Sequence, residues 1–207
     1  MIVSNIIFIF ATTETVLTMR KLYLLTTAAV AVMSISVSSQ TISLKNDLLY
    51  DVTLTPNIGI ERMVGKSSSM QLFYGIHPWR LSDTRRLRHW SLMPEYRRWL
   101  SCHTPFTGHF VGIHSLGGEY SIANIGISNS IRNYQYEGWY IGGGLTYGYT
   151  WPLSGSWNIE AAVGIGFIHM VYDKYENATC GRLLDSGCHN YVGPTKLAMN
   201  LCYILGR

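Results

Sequence analysis

Charged residues are scarce in this chain, since only 14% of its 207 residues are Asp, Glu, Lys or Arg. Soluble domains average about 25% charged residues, so the sequence has too little charge for an ordinary aqueous surface. After position 40 it also lacks any uninterrupted apolar run of about 18 residues, which argues against a helical membrane protein. Yet 47% of the residues are hydrophobic. Apolar residues dispersed at alternate positions, as in a transmembrane β-barrel, reconcile these observations.

Cysteine and basic charge are also limited. The 4 cysteines are too few for a disulfide scaffold, and their spacing matches no zinc pattern. We therefore predict neither a metal site nor a cofactor. The net charge of +4, from 16 basic and 12 acidic residues, is small. Because nucleic-acid binding needs a broader basic face, no nucleic-acid partner is predicted.

The amino-terminal region has the order of a secretory signal. Met19-Arg20-Lys21 is followed by an apolar run to Met33 and by small residues before Gln40. An amino-terminal membrane anchor is the alternative, but the apolar run is short for a span. We therefore predict a signal peptide over 19–40 and a mature domain over 41–207. Residues 1–18 do not fit the signal and are interpreted as a mis-assigned upstream extension.

The residues from Trp139 to Trp151 alternate with a period of two. One face of this predicted strand reads Trp139, Ile141, Gly143, Leu145, Tyr147, Tyr149, Trp151, and the other reads Tyr140, Gly142, Gly144, Thr146, Gly148, Thr150. The first face suits lipid, with aromatic residues at both interfaces. A soluble sandwich or lipocalin-like barrel would instead bury its apolar face. The glycine-rich polar face and the tryptophan girdle favour the membrane alternative.

Similar alternation predicts about eight strands. The alternation is clear in 157–167 and 191–205 and noisier in 70–76, 90–100 and 111–114, and the weakest pair is 45–54 with 58–64. The predicted long connections are 78–88, 119–137 and 173–190, joined by short turns on the other side. The predicted fold is therefore all-β: a single antiparallel transmembrane β-barrel with up-and-down topology in the outer membrane. Its long loops would face outward.

Titratable residues fall on the predicted interior faces of these strands: Glu61, Glu95, Arg97, Glu160 and Lys196. Buried charges are costly without partners, so we expect a salt-bridge network that plugs the lumen. An ion or proton pathway is the alternative. It requires a continuous wet channel, whereas the lumen of about eight strands is mostly filled by side chains.

One short segment invites a catalytic interpretation. His114 and Ser115, with Glu119 nearby, suggest a serine hydrolase acting on lipid A. Adjacent residues of a strand point to opposite faces, so His114 and Ser115 should not meet. No catalytic residue is therefore assigned, and we expect that the protein is not an enzyme.

Two other groups lie in predicted outward loops. Cys180 and Cys188 are expected to form a disulfide in oxidising surroundings. The alternative, a metal site with His189, lacks a fourth ligand. Arg80, Arg85, Arg86 and Arg88 form a basic cluster that suits lipopolysaccharide phosphates, since guanidinium groups bind phosphate well. An ordinary solvated loop explains the same cluster equally well.

Several segments, spread in order over the chain, resemble a domain-of-unknown-function (DUF) family of small outer-membrane proteins of the Bacteroidetes type. They include Lys45-Asn46-Asp47-Leu48-Leu49-Tyr50-Asp51, Thr55-Pro56-Asn57-Ile58-Gly59-Ile60-Glu61, Pro78-Trp79, Tyr172-Asp173-Lys174-Tyr175 and Gly193-Pro194-Thr195-Lys196. The resemblance implies an outer-membrane barrel without an assigned activity. It also implies an association with surface fimbriae, and it supplies no site residues.

Three functional hypotheses follow. The first is a structural or surface-interaction barrel that supports fimbrial or other surface assembly, with outer-membrane lipid, lipopolysaccharide and surface proteins as partners. The second is an outer-leaflet lipid-modifying enzyme, and the third is a small pore. The predicted lumen plug and the separation of His114 from Ser115 favour the first hypothesis.

Overall fold

The computed structural model describes residues 42–78, 86–101, 105–123, 134–176 and 181–205. The predicted upstream extension (1–18) and signal peptide (19–40) lie outside these residues, so both remain predictions. Within the described residues, no helix is long and apolar enough to cross a membrane.

The described residues form eight antiparallel strands and one short helix. The elements are β1 (Ile42–Asp47), α1 (Leu48–Val52), β2 (Asn57–Met63), β3 (Ser68–His77), β4 (Arg86–Trp99), β5 (Gly108–Ala123), β6 (Tyr134–Ser154), β7 (Trp157–Glu176) and β8 (Leu183–Leu205). Each strand pairs with its sequence neighbour, and β1 pairs with β8 to close the barrel. The predicted all-β, up-and-down barrel of about eight strands is therefore confirmed.

The two faces of the wall are inverted relative to a soluble barrel. Large apolar side chains face outward, among them Ile141 (57% exposed), Leu145 (61%) and Ile165 (66%). Their neighbours on the inner face are small or polar, such as Thr146, which is buried. Alternation along each strand thus turns one apolar face outward, as the sequence predicts. The bulky apolar residues of the inner face are confined to two layers described below.

The prediction of a first strand over 45–54 is wrong after Asp47, where the chain forms a helix instead. Strand β1 ends at Asp47, whose side chain accepts a hydrogen bond from the backbone N–H of Leu49 (3.0 Å) and so caps α1. An aspartate at this position satisfies an amide that has no partner within the helix. Helix α1 then brings Tyr50 against Phe73, edge to face at 5.2 Å. Packing in the lumen therefore overrides the local strand pattern here.

The predicted long connections are also too long. Strand β4 begins at Arg86, β5 continues to Ala123, β6 begins at Tyr134, and β7 and β8 extend to Glu176 and from Leu183. In these extensions both faces are partly exposed. The apolar–polar alternation therefore fades there, although the strands remain paired.

The wall is uneven in height. Strands β1 and β2 contain 6 and 7 residues, whereas β6, β7 and β8 contain 21, 20 and 23. Both termini of the barrel lie at one end, where Ile42 pairs with Leu205. We call this the lower end, and the difference in height therefore lies at the opposite, upper end.

Candidate functional site: the filled lumen

Six charged side chains contact one another in the lumen. Three are carboxylates and three are cations, namely Lys45, Glu61, Glu95, Arg97, Glu160 and Lys196. All six are buried, and equal numbers of each sign leave this charge layer without net charge. Because every ion has an opposite partner, the cost of removing it from water is partly offset. The five charged residues predicted for the interior all belong to the layer.

Arg97 lies at the centre of the charge layer and is 0% exposed. Its Nη1 donates to Glu160 Oε2 at 2.9 Å and to Glu61 Oε2 at 3.2 Å, while Nη2 donates to Glu95 Oε2 at 3.2 Å. The guanidinium also lies over the ring of Phe110, 4.3 Å from its centroid. A planar, multidentate cation suits this role, because it can join carboxylates from three different strands.

The two lysines complete the network. Lys45 Nζ donates to Glu160 and lies 2.5 Å from Glu61 Oε2, while Lys196 Nζ donates to Glu95. The sequence prediction missed Lys45, because the inner and outer faces of a strand over 45–54 could not be assigned. The pattern that could have identified it is the alternation of Ser43, Lys45 and Asp47, which face inward, with Leu44 and Asn46.

Glycine makes room for the charged side chains. A Cβ at position 112 would lie 2.7 Å from Glu95 Oε1 and 3.4 Å from Arg97 Cγ. Gly112 pairs with Arg97 across β4 and β5, so a side chain there would enter the charge layer. The glycine-rich inner face is thus part of the network's geometry.

An apolar layer closes the lower end. Its members are Trp99, Phe106, Phe110, Ala162, Ala198 and Ile204, all buried. Phe106 belongs to the connection between β4 and β5 and has a φ of 55°, a conformation that is uncommon for a bulky residue. Asn158 Nδ2 donates to the carbonyl of Phe106 at 2.8 Å and holds this connection against the barrel.

A second apolar layer lies on the other side of the charges. Phe73, Met93 and Leu116 are buried there and pack with Tyr50, Tyr140 and Ile168. The inward residues of β4 give the order directly, since Trp99, Arg97, Glu95 and Met93 follow one another at alternate positions. Charges lie between two apolar layers, and these three layers fill the lumen below the upper end.

His114 and Ser115 lie on opposite faces of β5, as strand alternation predicts. His114 is buried, with its ring nitrogens 2.8 Å from Thr146 Oγ1 and 2.9 Å from Thr195 Oγ1, whereas Ser115 is exposed outside. Glu119 is also exposed and accepts a hydrogen bond from Trp90 Nε1 at 3.1 Å. The wall thus separates the imidazole from the serine hydroxyl, and these residues do not form a nucleophile–base pair.

The predicted disulfide involves one residue outside the described part of the chain, Cys180. Cys188 is exposed on β8 opposite Val171, and its thiol is free among the described residues. The disulfide therefore stays a prediction. The described residues contain no cluster of three or more His, Cys, Asp or Glu side chains that could hold a metal ion.

The predicted basic cluster is only partly described. Arg80 and Arg85 lie outside the described residues. Arg86 begins β4, and Arg88 is exposed further along the same strand, opposite Ser121. These two arginines therefore belong to a paired strand and not to the predicted loop. Their position is a correction to the sequence prediction.

The fold and its lumen define a class: a closed, eight-stranded antiparallel β-barrel with an apolar outer face and a filled, neutral interior. The chain belongs to the family described as Protein of unknown function (DUF3575), which it matches over residues 24–205. The predicted resemblance is thereby confirmed at the level of a domain of unknown function. Neither a curated protein nor a solved structure matches the chain.

Proposed function

We propose that this protein is an outer-membrane β-barrel of a Gram-negative, Bacteroidetes-type bacterium, and that it acts as a structural or surface-interaction component of the cell envelope. The inverted wall supports the membrane setting, because exposed side chains such as Ile141, Leu145 and Ile165 would be costly in water. The filled lumen carries the functional part of the proposal, since it leaves the outer and upper surfaces as the working parts.

The spacing of aromatic residues on β6 supports the same setting. Trp139 and Trp151 are both outward and 46% exposed. At about 3.3 Å per residue, they are about 40 Å apart along the strand. With a tilt of about 40°, this is about 30 Å along the membrane normal, which suits an apolar band flanked by aromatic girdles.

A pore is the less favoured candidate. Conduction would need water to pass two apolar layers and a neutral layer of paired charges. An outer-leaflet enzyme is also less favoured, because the only nucleophile–base pair suggested by the sequence, Ser115 and His114, is divided by the wall. These observations favour an interaction role over transport or catalysis.

The proposed partners follow from the accessible surfaces. Outer-membrane lipid would contact the apolar wall, and lipopolysaccharide phosphates would bind the arginines near the start of β4, of which Arg88 is exposed. Fimbrial or other surface proteins would bind at the upper end. The last assignment depends on the family resemblance and on the shape described below.

Two measurements test this proposal together. Outer-membrane fractionation followed by gel electrophoresis should give a band that migrates faster without boiling, as expected for a folded barrel. Planar-bilayer recordings of the same material should give no single-channel steps. A soluble protein whose mobility ignores boiling would contradict the membrane setting, and regular conductance steps would favour the pore.

A further inference from the structure

Strand β8 has a long edge without a strand partner. On one side it pairs with β7 from Leu183 to Tyr203, but on the other it pairs with β1 only from Asn200 to Leu205. The backbone N–H of Met199 donates to Asp47 Oδ1 at 3.2 Å. Beyond this point, no other described strand lies along residues 183–198, which we call the free edge. Unpaired amides and carbonyls along such an edge favour the addition of another strand.

The free edge exists because β1, the strand next to β8 in the closed barrel, is much shorter than β8. At about 3.3 Å per residue, β1 is about 20 Å long and β8 about 75 Å. A transmembrane strand needs about 9 to 11 residues, so β1 and β2, with 6 and 7 residues, fall short of spanning. The barrel therefore opens sideways above β1 and α1.

The orientation of the free edge can be assigned residue by residue. The side chain of Met199 faces outward, and its backbone amide points to the β1 side. Side-chain direction and amide direction alternate together along a strand, so every outward-facing residue of β8 points its amide to the β1 side. A register shift lies opposite Gly164 and Ile165, and above it Val192 and Cys188 face outward. Their amides therefore point to the free edge. Pro194 shares this facing, and a residue without an N–H is tolerated at an edge.

The inner surface next to the opening is rich in tyrosine. We call it the tyrosine wall, and its members are Tyr120, Tyr136, Tyr140, Tyr172 and Tyr191. Each of these side chains faces inward, because residues paired across two strands share a face, as do alternate residues of one strand, and those residues face inward here. Two ring pairs contact one another, with centroids 6.4 Å apart for Tyr120–Tyr140 and 6.0 Å for Tyr136–Tyr172.

Glycines opposite these rings leave space for them. Tyr140 pairs with Gly118, Tyr120 with Gly138, and Tyr172 with Gly187. A Cβ at position 118 would lie 2.7 Å from the Tyr140 hydroxyl oxygen. The rings thus lie against the wall as a partly exposed concave surface. Tyrosine provides large contact area with little loss of conformational entropy and is common in protein-binding surfaces.

We propose that an extended strand of a partner polypeptide adds to β8 along residues 185–193 and packs its inward side chains on the tyrosine wall. This deepens the proposed function by naming the class of partner, and it rests on that function for the membrane setting. The segment lies within the longest part of the free edge with continuous register, which runs from the Lys174–Asp185 pair to the Ile165–Pro194 pair.

The chemistry of the edge selects a polypeptide over lipid. Acyl chains cannot satisfy backbone amides and carbonyls, which cost several kcal/mol each when unpaired in lipid. An added strand satisfies them with its own backbone and places alternate side chains against the inner surface. A second copy in the same membrane fits less well. It would present β8 in the same direction, which gives a parallel pair in a sheet that is otherwise antiparallel.

The test uses the full barrel in lipid nanodiscs and a synthetic probe. The probe is an alternating threonine–valine peptide of about nine residues, the length of a typical added strand. Its control is the same peptide with every amide N-methylated. Amide hydrogen exchange should be fast at Ser186 and Cys188 in the free barrel, because both amides point to the free edge at or above the level of Trp139. The unmodified probe should slow this exchange. The control peptide should have no effect.

Val192→Pro should weaken probe binding about tenfold, because the proline removes a free-edge donor. Val192→Ala is the matched control and should bind like wild type. Both variants should retain the heat-dependent gel shift, so a failed barrel is distinguishable from a failed edge. Slow exchange at Ser186 and Cys188 without the probe would overturn the proposal, whether a second copy or another segment covers the edge. Equal binding of both peptides, protection by lipid alone, or unchanged affinity in Val192→Pro would also overturn it.

Discussion

The barrel has a short wall, formed by β1 and β2, and a tall wall, formed by β5 to β8. At the lower end both walls contribute to the same filled lumen, since Lys45 on β1 contacts Glu160 on β7, and Arg97 on β4 joins Glu61 to Glu160. At the upper end only the tall wall continues. The comparison teaches that shared contacts stabilise the lower part of the barrel, whereas the upper part of the tall wall lacks them. Under the proposed function, stability and recognition are therefore separated along one fold.

The largest effect is expected where the two walls meet in the charge layer. Arg97→Met should lower the free energy of unfolding by about 3 to 5 kcal/mol, because it leaves buried carboxylates without their main partner. Urea unfolding in lipid vesicles, followed by tryptophan fluorescence, measures this. Arg98→Met is the matched control, since Arg98 is exposed on the outer face and should have little effect. Equal midpoints for the two variants would contradict the assigned role of the network.

The lower apolar layer should give the next largest effect. Trp99→Ala removes a side chain that is 3% exposed and packs against Phe106 and Phe110. We expect a loss of about 3 kcal/mol from the cavity. Trp151→Ala, which truncates a 46% exposed outward residue, should cost clearly less in the same unfolding assay. A larger loss for Trp151 would mean that the wall's outer face, and not the plug, dominates stability.

Space in the charge layer can be tested with a single methyl group. Gly112→Ala should cost about 2 kcal/mol, since its Cβ would lie 2.7 Å from Glu95 Oε1 and force the network to shift. Gly65→Ala is a suitable control, because the nearest atom to its Cβ would be Ser68 Cβ at 3.8 Å. The readout is the difference between the two unfolding midpoints. No difference would indicate that the layer adjusts without cost.

The smallest effect is expected at the junction between the walls. Asp47→Ala removes the acceptor for the amides of Leu49 and Met199, and we expect a loss of about 1 kcal/mol. Hydrogen exchange at the Met199 amide should become faster, which would extend the free edge. Asp47→Asn retains an acceptor oxygen and should behave more like wild type. Unchanged exchange at Met199 in the alanine variant would argue that Asp47 does not limit the edge.

Much of the fold could be predicted, because alternation is a local property. In β6 and β7 the outward rows from Trp139 to Trp151 and from Trp157 to Phe167 give both the strands and their facing. The interior charges followed from the same alternation. Prediction was wrong where alternation fades. The upper parts of β7 and β8 are at least partly exposed on both faces, so their sequence is typical of a loop although the strands are paired.

The sequence predicted most of the charged residues of the lumen but not which of them contact one another. Glu61 and Glu160 are 99 positions apart in sequence, and only barrel closure brings both to Arg97. Lys45 was missed because Asp47 ends β1 by capping α1, a choice that depends on Tyr50 packing against Phe73. Long-range packing of this kind leaves no periodic signal in the sequence.

By itself, the sequence determined an all-β chain with an apolar outer face, a polar inner face and buried charges that require partners. These properties follow from the two-residue period, which fixes the facing of each side chain within its own strand. Only the tertiary structure decided that the lumen is filled in three layers, that β1 and β2 stop early, and that residues 183–198 have a free edge. These features depend on the register between strands, and register is set by contacts between residues that are distant in the chain.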